Sequence, residues 1–224
     1  MLLLAVDTST SFLGLALYDG VQVLAEQIWH GRARHTQELA PATAVLLERV
    51  GETVQSLQAL GVALGPGSFT GLRVGLAFVK GLSLARHLPV VGIPTLDIVA
   101  SAVPLDPRRR LAAVLQAGRG RLALGWYRPG ENGWQAEGPI TVTTAFELER
   151  QIEQPIVVCG ELTAEERRML AKHAPVVQLL SPAQCLRRPA LLAELAWTRW
   201  MRGQVDLAAS LKPIYLHIAG GPAL

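Results

Sequence analysis

Cysteine, aromatic side chains and long apolar runs are all scarce in this chain, and each shortage closes off a class of function. Two cysteines, Cys159 and Cys185, among 224 residues cannot staple a small extracellular scaffold. They read as free thiols in or near a core under reducing conditions. No spacing of histidine and cysteine matches a zinc site. No apolar run is long enough to cross a bilayer and no basic-then-apolar leader opens the sequence. The expectation is therefore a cytoplasmic protein that does not engage membranes. Aromatics make up 5% of the chain, and none interleaves with the small arginine clusters at Arg32/Arg34, Arg108 to Arg110, Arg119/Arg121, Arg167/Arg168 and Arg187/Arg188. With a net charge of only +3, those clusters read as solvated faces rather than as a nucleic-acid platform.

Three sequence signatures are missing as well. The stretch Gly65 to Gly71 lacks the Gly-Lys-Ser/Thr ending of a phosphate loop, and Lys80 lies too deep in the following helix to replace that lysine. No dinucleotide fingerprint follows the first strand. Gly65-Pro66-Gly67-Ser68-Phe69 lacks the closing glycine of a nucleophile elbow, and no acid–histidine partners accompany it, which excludes a serine hydrolase.

What is present is material for a folded core. Half the residues are hydrophobic and 17% are charged, enough for one domain or two small lobes. Strands are expected over Leu2 to Asp7, Phe12 to Tyr18 and Val21 to Trp29, with Asp19-Gly20 as a hairpin turn. A helix follows over Thr36 to Val50, kinked by Pro41 or starting there. Ser56 to Leu64 holds a strand, Phe69 to Ala85 a helix, Val90 to Ile93 a strand, and Pro94-Thr95 starts a helix reaching about Val103. Pro104 to Pro107, with three arginines after it, marks a boundary. The order then repeats: strands over Leu111 to Gln116, Arg121 to Tyr127 and Gly133 to Val142, a helix over Thr144 to Gln151, and a strand over Pro155 to Cys159. A helix opened by the capping box Thr163/Glu166, a strand over Val176 to Leu180 and a helix over Pro189 to Arg202 complete it. A meander leading into alternating helix and strand, twice, predicts an α/β protein of two similar lobes, 1–104 and 105–224. The second is reduced, and the last helix is a candidate to complete the first.

The helix after Gly65-Pro66-Gly67 is apolar nearly all round, its only clearly polar side chains being Arg73, Lys80 and Ser83. Such a helix is buried on more than one side. Gly71 and Gly75 share a face, and each costs about 1 kcal/mol relative to alanine in a helix. Something must therefore come close to this backbone: a phosphate, a strand or another protein. Asp7-Thr8-Ser9-Thr10 ends the first strand, where a carboxylate can hold a metal or orient water and the hydroxyls and N–H groups after it can receive phosphate. The same residues also suit a polar hairpin turn. His35 would face a metal together with a second histidine four residues on, but position 39 is leucine, so His35 reads as a polar contact or cap.

Val6-Asp7-Thr8-Ser9-Thr10, Arg34-His35-Thr36-Gln37-Glu38-Leu39-Ala40-Pro41, Gly65 to Gly75 and Pro94-Thr95-Leu96, in this order, resemble the TsaB (YeaZ) family over residues 1–100. Beyond that only Lys212-Pro213-Ile214-Tyr215-Leu216 is similar to the family's ending, with His217 where the family has arginine. The resemblance implies two ribonuclease-H-like lobes of the actin, sugar-kinase and heat-shock-chaperone type. It implies a role in placing threonylcarbamoyl on tRNA adenosine beside the anticodon, as a non-catalytic subunit with no cofactor or metal of its own. The expected partners are a TsaD-like paralogue, which carries the metal on a His-x-x-x-His helix, and a TsaE-like ATPase in the larger complex. Alone, the chain is expected to pair with itself, and tRNA is met only indirectly.

Leu39 in place of the second metal histidine agrees with that role. The second lobe has Gln116-Ala117-Gly118 where the family usually has Asp-Ala-Arg, which leaves Asp7, Thr8, Ser9 and Thr10 as the remnant of a nucleotide site. Family pairing uses the two helices of the first lobe. The expected interface residues are Leu39, Thr43, Leu46 and Leu47 from the first, and Gly71, Leu72, Arg73, Gly75, Leu76, Val79, Lys80 and Leu82 from the second. Arg73 and Lys80 would meet acidic partner residues. Two other readings stay open at this point: a metal-dependent, glycoprotease-like hydrolase and a weak stand-alone ATPase of the sugar-kinase type.

Overall fold

The computed structural model describes residues 1–31, 34–131 and 133–216. In chain order the first half runs β1 (Leu3–Asp7), β2 (Phe12–Tyr18), β3 (Val23–His30), α1 (His35–Arg49), a single 3-10 turn (Val54–Ser56), β4 (Ala59–Ala63), α2 (Phe69–Arg86), β5 (Val90–Ile93) and α3 (Thr95–Ser101). Then follow β6 (Arg110–Gln116), β7 (Leu122–Gly130), β8 (Gly133–Ala136), β9 (Thr141–Thr143), α4 (Ala145–Arg150), β10 (Ile156–Gly160), α5 (Ala164–Ala171), β11 (Val177–Leu179) and α6 (Pro189–Met201).

The first sheet has the order β3-β2-β1-β4-β5. β1 pairs antiparallel with β2 and parallel with β4, and β4 pairs parallel with β5. The second has the order β11-β10-β6-β7-β8, with β9 added on β7. There β6 takes the place of β1: antiparallel to β7, parallel to β10, which is parallel to β11. Each sheet is therefore a ribonuclease-H-like meander followed by parallel crossovers. The repeat read from element order is present in the hydrogen-bond ladders.

The chain divides into a unit of Met1–Ile98 with Arg188–Ile214 and a unit built on Val99–Arg187. In the first, the two faces of the sheet are made differently. Leu2, Leu4 and Val6 of the first strand region, with Leu13, Leu15 and Leu17 of β2, pack against Leu39, Leu46 and Leu47 of α1 and Leu76 and Val79 of α2. The intervening Leu3 and Ala5, with Ala16 and Ala59, pack against Leu192, Ala193 and Ala196 of α6. Alternation along the strands assigns the faces, and small residues on the α6 side let that helix lie close to the sheet. The second unit has its own core of Ala112, Val114, Leu122, Leu124, Ile156 and Val158 under α4 and α5, with Leu148 and Leu170.

Two details differ from the sequence reading. α1 runs without a break through Pro41 from His35, so proline neither starts nor interrupts it. Pro41 and Gln37 are both exposed, so the carbonyl that loses its helical donor is on the water side. The single strand expected over Gly133 to Val142 is split into β8 and β9, because Gly138 (φ 83°) turns the chain just before Pro139.

The N-cap of α6, Arg188, makes no capping bond of its own. Glu26 of β3 does this work instead: one carboxylate oxygen accepts the Ala190 N–H at 2.9 Å and the other accepts the Arg188 guanidinium Nε–H at 2.9 Å. Glu26→Ala is expected to destabilise the first unit by about 1–2 kcal/mol, since it removes a cap and a charged acceptor together. Glu26→Gln should recover part of that loss in urea denaturation, because an amide oxygen still serves Ala190.

Candidate functional site

The sequence motifs of the first unit converge on one turn. Asp7 ends β1, and its Oδ1 accepts the Ser9 backbone N–H at 2.8 Å and the Ser9 hydroxyl at 2.5 Å. The Thr8 hydroxyl donates to the Gly71 carbonyl at 2.8 Å, and the Ser68 N–H donates to the Ser9 carbonyl at 2.6 Å. His35 Nε2 lies 2.8 Å from the Thr10 carbonyl, which accepts its proton. All four residues of the turn are buried, Ser9 completely.

The glycines explain themselves at this point. A Cβ on Gly67 would stand 1.9 Å from the Ser9 carbonyl oxygen, one on Gly71 2.2 Å from the Thr8 carbonyl oxygen, and one on Gly75 2.2 Å from Thr8 Oγ1. The close neighbour demanded by the spacing of Gly71 and Gly75 is thus the chain's own β1–β2 turn. Several donors that could receive a phosphate at Asp7 to Thr10 are paired within the protein.

The remaining motifs brace the same loop. Thr95, fully buried, accepts the Gly65 N–H on its hydroxyl at 3.0 Å and returns its own N–H to the Gly65 carbonyl at 2.7 Å. Ile214 of the terminal motif donates its N–H to Leu64 at 2.7 Å. His217 and Arg32 lie outside the described residues.

The expected pairing residues are distributed otherwise than the sequence suggested. Leu39, Thr43, Leu46, Leu47, Gly71, Leu72, Gly75, Leu76 and Val79 are all buried inside the first unit. Five of them, Leu39, Leu46, Leu47, Leu76 and Val79, belong to the core under the sheet. In the single chain these nine offer no docking surface apart from an edge of Leu39. Lys80 and Leu82 are half-buried and Arg73 is exposed. The surface of the two helices is offset from the predicted stripe. Thr36, Leu39, Ala40, Phe69, Thr70, Arg73, Val74, Ala77 and Phe78 line a groove of about 440 Å³ between α1 and α2. Phe69 is 47% exposed at its mouth, with the Arg73 guanidinium 3.6 Å above its ring. Val45 and Leu84 continue the exposed apolar surface of α1 and α2. Sequence reasoning missed most of these residues.

Leu39, the position of the absent second histidine, is 2% exposed. Among the described residues no three His, Cys, Asp or Glu side chains are grouped to hold a metal. In the second unit Gln116 ends β6 as Asp7 ends β1. Its amide donates to Glu166 Oε2 at 2.7 Å and to the Glu161 carbonyl at 3.3 Å. Glu166 also closes the capping box of α5 with Thr163. The strand-end amide is therefore tied to the start of the next helix. Many of the clustered arginines are engaged within the protein: Arg110 with Glu137 at 2.8 Å, Arg109 with Asp106 at 3.5 Å, and Arg187 with Glu161 at 3.1 Å. No helix among the described residues is long and apolar enough to cross a membrane.

Two ribonuclease-H-like sheets, each with order 3-2-1-4-5, define a protein of the actin and sugar-kinase fold class. The solved ethanolamine utilization protein EutJ from Carboxydothermus hydrogenoformans shares that fold, with a TM-score of 0.50 at 14% identity over 86% of this chain and 89% of its own. A family model, TsaD: tRNA N6-adenosine threonylcarbamoyltransferase, matches residues 22–212. The chain belongs to this family, and within it to the TsaB/YeaZ proteins. It is similar to the tRNA threonylcarbamoyladenosine biosynthesis protein TsaB of Bacillus subtilis, 28% identical over all of this chain and 97% of that one. The TsaB of Escherichia coli is 34% identical over 61% of this chain and 60% of its own length. The solved YeaZ from Pseudomonas aeruginosa superposes with a TM-score of 0.79 at 28% identity, over 96% of this chain and 99% of that one.

Proposed function

We propose that this chain is a scaffold and activating subunit for the transfer of threonylcarbamoyl to tRNA adenosine beside the anticodon, acting in the cytoplasm without catalysing the transfer. Its partner is a TsaD-like paralogue, which docks over the α1–α2 groove. A TsaE-like ATPase joins the larger complex, and the same groove pairs two copies when the chain is alone. One observation carries this reading: the helices beside the old site turn an open apolar groove outward while the polar residues beneath them are closed on one another. Leu39 supports it, since a buried leucine occupies the position where metal chemistry would need an imidazole. Asp7 to Thr10 act as the frame that holds α2, and Arg73 beside the groove meets acidic partner groups.

The test is co-elution. Mixed with the TsaD-like paralogue from the same genome, the chain is expected to shift to a single heterodimer peak in size exclusion, and tRNA modification should require both. Separate elution, together with modification that proceeds without this chain, overturns the proposal.

A further inference from the structure

The two cysteines, far apart in sequence, are neighbours in the second unit. Cys159 lies near the end of β10 and is 1% exposed, while Cys185 is half-buried on the turn that precedes α6. Cys159 Sγ reaches the turn at the carbonyl of Gln184, the residue before Cys185. Two ties hold that turn against the strand end, and a third closes the turn on itself. The Leu180 N–H donates to the Val158 carbonyl at 3.1 Å, and Ser181 and Gln184 exchange backbone-to-side-chain bonds of 3.0 and 3.3 Å. Arg187 bridges to Glu161 at 3.1 Å. Cys185 Sγ lies 3.6 Å from the Leu180 carbonyl oxygen and Cys159 Sγ 4.0 Å from the Gln184 carbonyl oxygen. Both sulfurs thus face carbonyls of one turn, Cys159 enclosed and Cys185 half-buried.

We propose that Cys159 and Cys185 are a redox modification site, closing a reversible intrachain disulfide when the chain meets hydrogen peroxide. The Cys185 thiolate attacks one peroxide oxygen and the O–O bond breaks. This gives the Cys185 sulfenic acid and a hydroxide, which takes a proton from solvent. The Cys159 sulfur then attacks the Cys185 sulfur, the S–O bond breaks, and the Cys159 proton leaves with the hydroxyl as water. One peroxide is reduced to two waters and two thiols are oxidised to one disulfide, which a dithiol reductant opens again.

The division of labour follows from the surroundings. The Cys159 side chain beside it holds the Cys185 thiol down against the upward push of burial, and the Gly160 backbone and the Arg167 guanidinium add to the lowering. The Cys185 side chain, burial and the neighbouring Cys185 charge push Cys159 up. The accessible sulfur is therefore the thiolate, and the enclosed one is the thiol that resolves it.

The experiment treats the reduced full-length chain with a small excess of hydrogen peroxide and reads intact mass, free thiols and a non-reducing peptide map. The wild type is expected to lose both free thiols, become lighter by two hydrogens, yield one Cys159–Cys185 peptide, and revert with dithiothreitol. Cys159→Ser, or Cys159→Ala should the serine variant not fold, is expected to stop at a Cys185 sulfenic acid captured by dimedone. Cys185→Ser is expected to keep Cys159 reduced. Two unreacted thiols in the wild type, added oxygen without loss of hydrogens, or chains cross-linked to one another each overturn the proposal.

Discussion

An Ala77→Arg chain is expected to fold as the wild type does and to fail to hold its partner. Ala77 is an exposed position of α2 on the wall of the α1–α2 groove, facing residues that include Thr36 and Ala40. Arginine is a good helix former, and an exposed substitution of this kind changes stability by about 0.5 kcal/mol or less. A docked partner changes the balance, because the new guanidinium is then enclosed in an apolar groove beside a charge of the same sign on Arg73. An unpaired charge left in a closed interface costs about 3–5 kcal/mol, or about two to three and a half orders of magnitude in Kd. Calorimetric titration with the TsaD-like paralogue measures the loss, and thermal unfolding of the variant alone checks that the fold is intact. Val21→Arg, at a position 83% exposed on the hairpin between β2 and β3, is the control and should bind as the wild type does. If Ala77→Arg titrates with wild-type affinity, the groove is not the docking face.

The offset between the predicted stripe and this groove has a physical cause. An amphipathic helix declares its buried side by its polar one. α2 has almost no polar side, so its sequence cannot say which apolar stripe faces its own sheet and which faces outward. Leu72, Leu76 and Val79 looked as available for a partner as Val74, Ala77 and Phe78. Only the fold separates them, taking the first three inward and leaving the others on the groove.

Elsewhere local signals were enough. The apolar run Val90–Ile93 is a strand over its whole length, and the Thr163/Glu166 capping box starts α5 where its chemistry requires. Asp19 makes its hairpin turn by accepting the Gln22 and Val21 N–H groups at 2.6 and 2.8 Å. Contacts across long sequence distance were not legible. The Cys159–Cys185 neighbourhood depends on β11 and the following turn folding back beside β10, and neither cysteine carries a local trace of the other.

Gly75→Ala is expected to destabilise the first unit by roughly 2–3 kcal/mol, although the same change six residues further along the helix should do the opposite. At Gly81 an added Cβ meets nothing within 4 Å, so alanine there gains its ordinary helix preference, up to about 1 kcal/mol. At Gly75 that gain is overrun, because the methyl would sit 2.2 Å from Thr8 Oγ1, which is buried and bonded to the Gly71 carbonyl. The identity of the clashing atom makes the prediction sharper. Thr8→Ala removes that oxygen at a cost of about 1 kcal/mol for the lost hydrogen bond, and should return most of the Gly75→Ala loss in the double variant. It should return nothing to Gly71→Ala, whose methyl meets the Thr8 backbone carbonyl at 2.2 Å. Urea denaturation of the single and double variants gives the coupling directly. Additive losses for Thr8 and Gly75 would mean that the interlock between the strand turn and α2 does not exist as described. The same series separates frame from surface. Gly75 holds α2 in place while Ala77 lines the groove on it, so Gly75→Ala should lower stability and partner affinity together, whereas Ala77→Arg should lower affinity alone.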